Sequence, residues 1–301
     1  MRRRSKLGLT LTALALLSGL ALAAGQGGGR VAAVSLGSSN AETRFGGFSG
    51  IEVSDDGTRF WALSDRAALA EGRLVRNGAG RLTGVEITGH SRLTDPDGHA
   101  VNGYESDAEG LARRADGRFY VSFEGYHRIW TWRGEDIMQG GEAAWLPRHP
   151  DFKTLQNNSA LEALAISPDG ALYTLPERSG SYSTPFPVYR YAEGAWAKVG
   201  AVERQGEWLP VGADFDDRGR LTLLWRHFTG YGFSSRITRH EMTGSIWPAR
   251  VLYETNPLTH GNLEGLSLWR DADGQLRAVM VSDDNFKGYQ RSEIVEVLLP
   301  D

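Results

Sequence analysis

The sequence of 301 residues contains no cysteine, which excludes a disulfide framework, a lipoprotein anchor and a cysteine nucleophile. Its seven histidines are scattered without the spacing of zinc ligands, so a zinc hydrolase is disfavoured. Neither the G-x-S-x-G elbow of α/β-hydrolases nor the G-x-x-x-x-G-K-[ST] phosphate loop occurs. If the protein is an enzyme, its chemistry must therefore come from carboxylates, arginines or a bound cation.

Long apolar runs are also scarce. The one at residues 7–20 is shorter than the ~20 residues that a membrane-spanning helix needs, which disfavours the alternative of a membrane anchor. Arg2, Arg3, Arg4 and Lys6 precede this run, and the tripeptide ALA at 21–23 follows it. This order predicts a secretory signal peptide over residues 1–23, with a flexible leader at 24–29 and a periplasmic or secreted domain at 30–301. General secretion and the twin-arginine route both stay open.

Positive charge is in short supply once the signal segment is set aside. Residues 1–23 hold four of the 33 basic residues and none of the 37 acidic ones, so the remainder carries 29 basic against 37 acidic residues, a net charge of −8. This balance argues against nucleic acid and anionic membranes as partners. We expect a monomer that acts on a small molecule, with a cation assisting if the substrate is itself an anion.

Residues 107–125 contain the pattern on which the rest of the chain can be aligned. An apolar strand, a turn at residues 114–117 with glycine in last place, and the aromatic run FYVSF at 119–123 predict a β-hairpin. Because both ends of an antiparallel hairpin lie opposite its turn, Glu109 and Glu124 are expected at the same sheet edge.

The same unit recurs at residues 48–66, 161–178, 211–227 and 263–285. The small residue near each start is, in order, Gly50, Gly110, Ala163, Gly212 and Gly265, which gives steps of 60, 53, 49 and 53 residues. A repeat of this length built from strands and turns predicts an all-β propeller, with five blades favoured and six as the alternative. The fifth unit lacks one strand, and we expect residues 30–36 (RVAAVSL) to supply it and close the ring.

Outer strands are expected between the hairpins. The predicted segments are residues 73–76 and 82–87, 128–132, 187–191 and 195–202, 236–242 and 249–252, and 293–299. The tetrapeptide DADG at 271–274 superficially resembles a calcium loop, but it lacks the later glutamate and is expected to be a hairpin turn.

Propeller topology brings the start of each first strand and the end of each second strand to one mouth of the central channel. The charged and polar residues expected there are Asp65, Arg66, Asp107, Glu109, Glu124, Glu162, Glu177, Arg178, Arg226, His227, Glu264, Asp283, Asp284 and Asn285. Crowded carboxylates favour a hard cation such as Ca²⁺. Any one glutamate also fits a purely structural role, accepting backbone N–H bonds from a neighbouring blade.

Several short motifs resemble the phytase-like family named for an "esterase-like activity of phytase". They are GFSGI at 47–51, ALSDR at 62–66, DPDG at 95–98, DAEG at 107–110, LEAL at 161–164, SDDNF at 282–286 and QR at 290–291. The resemblance implies a secreted or periplasmic β-propeller whose repeated acidic residues hydrolyse phosphate esters or related esters. Ala163 stands where the motif has glycine, and Val211 where other units have Glu or Ser, so the acidic ring is expected to be incomplete.

The preferred hypothesis is calcium-assisted hydrolysis of a phosphate ester at this mouth. The predicted metal ligands are Glu109, Glu162, Glu264 and Asp284. The predicted catalytic residues are Glu109, Asp283, Arg178 and Arg226. The predicted substrate-binding residues are Arg66, Glu124, Glu177, His227 and Asn285. Arginine suits bidentate phosphate contact better than lysine, and His227 is a candidate to protonate the leaving group.

Two other hypotheses use the same mouth. A calcium-dependent lactonase, similar in architecture to gluconolactonase-type propellers, would polarise a lactone carbonyl. A propeller without catalytic activity would bind a protein or a glycan through exposed aromatic residues such as Tyr126, Tyr182, Phe228, Tyr231 and Phe233.

Overall fold

The structure is a computed structural model, and it describes residues 31–40, 42, 44–156 and 161–301. The predicted signal peptide, the leader and Arg30 lie outside the described residues, so they stay predictions. No α-helix occurs among the described residues, and three short 3-10 helices lie at Gly103–Ser106, Gly134–Met138 and Pro150–Thr154. No described helix is therefore long and apolar enough to cross a membrane.

Within the part of the chain that the structure describes, twenty-one strands form five small sheets, one for each blade of a propeller. The chain begins with β1 (Val31–Gly37). Blade 1 contains β2 (Phe48–Val53), β3 (Arg59–Ser64), β4 (Ala68–Arg76) and β5 (Leu82–Arg92). Blade 2 contains β6 (Ala108–Arg113), β7 (Phe119–Phe123), β8 (Arg128–Trp132) and β9 (Ala144–Trp145). Blade 3 contains β10 (Ala163–Ile166), β11 (Leu172–Leu175), β12 (Phe186–Ala192) and β13 (Ala195–Val202).

The last two blades complete the ring. Blade 4 contains β14 (Leu209–Phe215), β15 (Leu221–Phe228), β16 (Phe233–His240) and β18 (Ala249–Glu254). The short strand β17 (Ile246–Trp247), between β16 and β18 in sequence, pairs in parallel with β13 at the edge of blade 3. Blade 5 contains β19 (Asn262–Arg270), β20 (Leu276–Asp283) and β21 (Ser292–Leu299), followed by β1 at its outer edge. The prediction of five blades is confirmed, and the alternative of six is wrong because the units form five sheets.

Each blade starts with the predicted hairpin, and all five turns have the same geometry. The glycine that ends each turn has positive φ and donates its N–H to a carbonyl three residues earlier. The five pairs are Gly57 to Ser54, Gly117 to Arg114, Gly170 to Ser167, Gly219 to Asp216 and Gly274 to Asp271. Glycine adopts this conformation without steric cost, which explains why the turn motif recurs. The turns lie at the opposite end of the blades from the acidic mouth.

The innermost strands β2, β6, β10, β14 and β19 contact one another in cyclic order around the channel. Glycine permits the close approach: a Cβ on Gly110 would lie 2.7 Å from the carbonyl oxygen of Glu162 in the next blade. A Cβ on Gly265 would lie 2.8 Å from the Cα of Gly50, where blade 5 meets blade 1. Side chains at these positions would push neighbouring blades apart.

Four of the five inner strands carry a β-bulge at this same level. The register slips by one residue between Phe48 and Gly50 in β2, between Ala108 and Leu111 in β6, between Pro210 and Gly212 in β14, and between Glu264 and Leu266 in β19. A bulge redirects the side chains beside it. The glutamates of β6 and β19 lie at these bulges, next to the channel mouth.

The outer strands are mostly where the sequence places them, with different ends. The predicted strand at 73–76 is the end of the longer β4, and the one at 236–242 is β16, shifted towards the N-terminus. The sequence analysis missed β9 and β17, each of two residues, because so short an edge strand leaves no alternation pattern. Packing between blades buries large aromatic clusters, including Trp61, Phe119 and Trp130.

The predicted closure of the ring by the N-terminal strand is confirmed, since β1 pairs antiparallel with β21 from Val31 opposite Val297 to Gly37 opposite Ser292. Leu36 of β1 is buried, whereas Ala33 is exposed. The strand thus covers an edge of β21 that would otherwise present unpaired backbone groups.

We predict that Leu36→Ala lowers the free energy of unfolding by about 2–5 kcal/mol, the usual cost of truncating a buried leucine. Urea denaturation monitored by tryptophan fluorescence measures the change. The control is Ala33→Ser on the exposed face of the same strand, which should change stability by less than about 0.5 kcal/mol. Equal stability of the two variants would show that β1 does not close the ring in solution.

Candidate functional site

The predicted site residues lie at the ends of inner and second strands that meet at one channel mouth. Asp107, Glu109 and Glu124 form the tightest acidic group there, and one carboxylate oxygen from each lies within 4.8 Å of the others. Glu109 comes from the bulge of β6, while Asp107 and Glu124 stand at the two ends of the blade 2 hairpin. The Glu124 backbone N–H donates to the Asp107 carbonyl at 2.8 Å, which holds these two ends together. We call these three residues the carboxylate trio.

Carboxylates from three blades interact across the channel axis. Burial raises the pKa of Glu109 well above its usual range, and the charges of Glu162 and Glu264 raise it further. The pKa of Glu162 is raised by burial and then by Glu177, although Arg226 opposes the shift. The pKa of Glu264 is raised to about 8, again first by burial. The structure therefore brings together three of the predicted metal ligands, as the propeller topology requires.

The acidic ring is incomplete, as expected from the sequence. Ser49 occupies the position in blade 1 that corresponds to Glu109, and its hydroxyl donates to the Ala108 carbonyl at 2.7 Å. Val211 occupies the position in blade 4 and is buried. The glutamates of this ring are thus contributed by blades 2, 3 and 5.

Arg226 is the central counter-ion of this mouth. Its guanidinium donates to Glu177 at 2.6 Å and forms a short ion pair with Glu264. The pKa of Arg226 is raised because Glu264, Glu162 and Glu177 together outweigh the effect of burial. The Asn262 amide donates to Glu264 at 2.8 Å and to Asp283 at 3.4 Å. Arg226 therefore places its positive charge between two buried glutamates, and it opposes the rise in the pKa of Glu264.

Asp65 and Asp283 form a third part of the mouth, between blades 1 and 5. Burial and the nearby charge of Asp283 raise the pKa of Asp65 to about 7, with Asp107 adding to the shift. The pKa of Asp283 is also raised, mainly by burial, although it accepts a hydrogen bond from the Asn285 backbone N–H at 2.6 Å. Carboxyl groups with pKa values near neutrality can exchange protons at physiological pH.

Asp284, a predicted metal ligand, has three hydrogen-bond donors within the protein. Its carboxylate accepts from the Gly47 N–H at 3.0 Å, the Phe286 N–H at 3.0 Å and the Ser292 hydroxyl at 2.6 Å. Both oxygens are therefore engaged in fixing the loop after β20 against blade 1. Asn285, which has φ of 50°, is exposed and donates its side-chain N–H to Gln290 at 3.0 Å.

The remaining predicted residues lie on the rim. The Arg66 guanidinium lies 3.6 Å from the ring centre of Phe286, and the half-exposed Arg178 is 3.5 Å from Glu177. His227 is 3.2 Å from the exposed Glu207, which lies two residues before β14. Arg66 and Arg178 are thus the cations best placed to meet an arriving anion, whereas His227 lies beside an acidic residue.

The sequence analysis missed carboxylates at the opposite mouth, where the turns lie. Glu52 and Asp214, from β2 and β14, line a cavity of about 360 Å³. Burial raises the pKa of both, that of Asp214 to about 7, and Asp214 also raises the pKa of Glu52. Each accepts backbone N–H bonds, Glu52 from Arg113 at 3.1 Å and Asp214 from Leu268 at 2.6 Å. Both carboxylates therefore tie neighbouring inner strands together, and the residues flanking them gave no motif.

A second acidic group consists of Asp95, Asp97 and His99, in the loop after blade 1. Here the Asp95 carboxylate accepts from the Asp97 and His99 backbone N–H groups at 2.9 and 2.8 Å. This is the hydrogen bonding of an Asx turn, which explains the DPDG sequence structurally. The group is largely exposed, unlike the carboxylate trio.

Five blades around an acidic channel define a β-propeller with a candidate cation site at one mouth. The sequence matches the family described as "Esterase-like activity of phytase" over residues 43–286, and the chain belongs to this phytase-like family. No curated protein matches the chain. The resemblance inferred from the motifs is thereby confirmed.

Solved structures similar to this chain include three proteins of low sequence identity. A gluconolactonase of Xanthomonas campestris is 14% identical, with 84% of this chain and 72% of that chain covered and a TM-score of 0.43. An endo-arabinase of Bacteroides thetaiotaomicron is 12% identical, with coverage of 85% and 94% and a TM-score of 0.49. The calcium-binding protein regucalcin of Agrobacterium tumefaciens is 12% identical, with coverage of 84% and 90% and a TM-score of 0.46.

The raised pKa values predict that stability depends on pH. Glu264 and Asp65 hold protons more tightly when folded, with pKa values of about 8 and about 7, than in the unfolded chain. Their contribution to the free energy of unfolding is fully present at a pH below their unfolded pKa values of about 4, and it is lost as the pH rises towards 8. In a chelator, we expect the free energy of unfolding to fall between pH 5.5 and 8.5 by on the order of 2 kcal/mol.

Urea denaturation at several pH values measures this slope, and Glu109→Gln should flatten it because glutamine cannot ionise against its neighbours. The matched control is Glu86→Gln, on the exposed outer strand of blade 1, which should leave the slope unchanged. A stability that rises over this pH range in the wild-type protein would contradict the buried, mutually repelling carboxylates.

Proposed function

We propose that this protein is an exported hydrolase of phosphate esters that is assisted by Ca²⁺ bound at the carboxylate trio. The observation that carries the proposal is the convergence of three carboxylate oxygens within 4.8 Å of one another at the channel mouth. Calcium takes oxygen ligands at about 2.3–2.6 Å, so two ligands on opposite sides of the ion lie about 5 Å apart. The donor set of Asp107, Glu109 and Glu124 fits this requirement in chemistry and in spacing.

Separate roles around the ion can be assigned to residues of the protein. When bound, the ion would polarise a phosphoryl oxygen and lower the pKa of a water molecule. Glu109 must lose its proton to act as a ligand, so calcium affinity should increase with pH. Asp283, with its neighbour Asp65, has the raised pKa that suits a group accepting a proton from the attacking water.

Arginines on the rim supply the positive charge that a phosphate needs. Arg66 stacks on Phe286 through the face of its guanidinium, which leaves the in-plane N–H donors directed to its edges. Arg178 is half-exposed and shares only a long ion pair with Glu177. We assign these two residues to the phosphate and Arg226 to the neutralisation of Glu177 and Glu264, while the role of His227 as an acid stays a prediction.

We predict that calcium raises the melting temperature and supports turnover of p-nitrophenyl phosphate, and that Glu109→Gln removes both effects while the fold is retained. Losing one of three charged ligands should weaken calcium binding at least tenfold. Calorimetric titration with calcium, circular dichroism and a colorimetric assay measure binding, fold and turnover.

The control is Asp97→Asn, in the exposed acidic group of the Asx turn, which should bind calcium like the wild-type protein. Unchanged calcium affinity in Glu109→Gln would remove the trio from the site. Turnover of lactones without turnover of phosphates would select the lactonase hypothesis. Calcium-independent stability with no turnover of either substrate would select a binding protein.

A further inference from the structure

A groove opens on blade 2 beside the carboxylate trio. It has a volume of about 380 Å³ and its walls include Asp97, Glu105, Tyr126, Trp130, Trp145 and Arg148, which we call the blade 2 groove. This volume falls at the lower end of the range for small-ligand sites, enough for one or two rings. The walls combine aromatic surfaces with a few charged groups, as such sites usually do.

Aromatic side chains are unusually exposed around this groove. Tyr126 is 57% exposed and Trp145 is 59% exposed, and Tyr104, 60% exposed, packs edge to face against Tyr126 with ring centres 5.3 Å apart. Trp130, at the base of the groove, contacts Trp145 in the same manner at 5.2 Å. A cluster of exposed aromatic side chains is typical of a binding surface.

The turn that presents Tyr126 is strained and firmly held. Tyr126 and His127 are consecutive non-glycine residues with φ of 60° and 42°. Arg128 donates to the carbonyl of Gly125, and Arg148 donates to the carbonyl of Tyr126 at 2.8 Å. Backbone strain that is fixed by several side chains is typical of functional sites, because it sets the position of an exposed group.

Chain connectivity places the groove next to the trio. Glu105 lines the groove and Asp107 belongs to the trio, and likewise Tyr126 lines the groove and Glu124 belongs to the trio. Residues two positions apart have Cα atoms separated by at most about 7 Å. The groove and the trio are therefore adjacent on blade 2.

We infer that the blade 2 groove binds a pyranose ring, as the organic part of the substrate. Aromatic faces pack on the apolar C–H face of a sugar ring, and carboxylates such as those of Asp97 and Glu105 accept hydrogen bonds from its hydroxyl groups. Among the described residues, no side chain donates a hydrogen bond to either carboxylate. Binding in the groove does not require the proposed hydrolysis, but the assignment of the ring to the substrate rests on it.

The test separates binding from turnover. Tryptophan fluorescence and calorimetry measure the binding of cellobiose to calcium-free protein. We expect Tyr126→Ala and Trp145→Ala each to weaken binding about tenfold or more. The matched control is Tyr289→Ala, a tyrosine 80% exposed on the loop after β20 and outside the groove, which should bind like the wild-type protein. Circular dichroism checks the fold of each variant.

In the second arm, glucose 1-phosphate and phenyl phosphate are compared as substrates with calcium present. Tyr126→Ala should raise KM for the sugar phosphate about tenfold and leave kcat within a factor of three, with a smaller effect on phenyl phosphate. Binding of cellobiose without turnover of any ester would support the groove and overturn the proposed hydrolysis. Absence of cellobiose binding, or equal effects of Tyr126→Ala and Tyr289→Ala, would overturn the groove as a sugar site.

Discussion

Burial of like charges around a closed ring is the constraint on which the rest of this structure depends. Five inner strands can surround one narrow channel only if their backbones approach closely, which is why Gly110 and Gly265 stand where neighbouring blades meet. The same approach forces Glu109, Glu162 and Glu264 to share a space from which water is largely removed. Their ionised forms are therefore costly unless positive charge reaches the mouth.

Part of this positive charge comes from an arginine of the protein itself. Arg226 offsets Glu177 and Glu264 on the side of blades 3 to 5, while the trio gathers three carboxylates of blade 2 within 4.8 Å of one another. The trio on blade 2 is therefore the part of the mouth whose oxygen spacing suits a bound cation. The opposite mouth is different, because Glu52 and Asp214 there accept backbone N–H bonds and hold strands together.

Much of the fold could be predicted from the sequence because each blade repeats two local signals, a turn that needs glycine at positive φ and a small residue at the inner strand. The edge strands β9 and β17 could not, since two residues give no periodicity. The set of residues at the channel mouth could be predicted from propeller topology, but the hydrogen-bond partners of those residues could not. The motif around Asp284 could not show that its carboxylate accepts hydrogen bonds from Gly47, which is far away in sequence, and from Ser292, across the loop after β20. Nor could it show that Asp107 joins Glu109 and Glu124 in a group whose carboxylate oxygens lie within 4.8 Å of one another.

The central claim is that ring closure builds a cation site from three carboxylates of blade 2. The most direct measurement is a crystal structure of the protein grown with calcium, with anomalous scattering used to locate the ion. The account predicts one ion at the channel mouth, with oxygens of Asp107, Glu109 and Glu124 at about 2.3–2.6 Å. An empty mouth at millimolar calcium, or an ion bound only at Asp95 and Asp97, would contradict it.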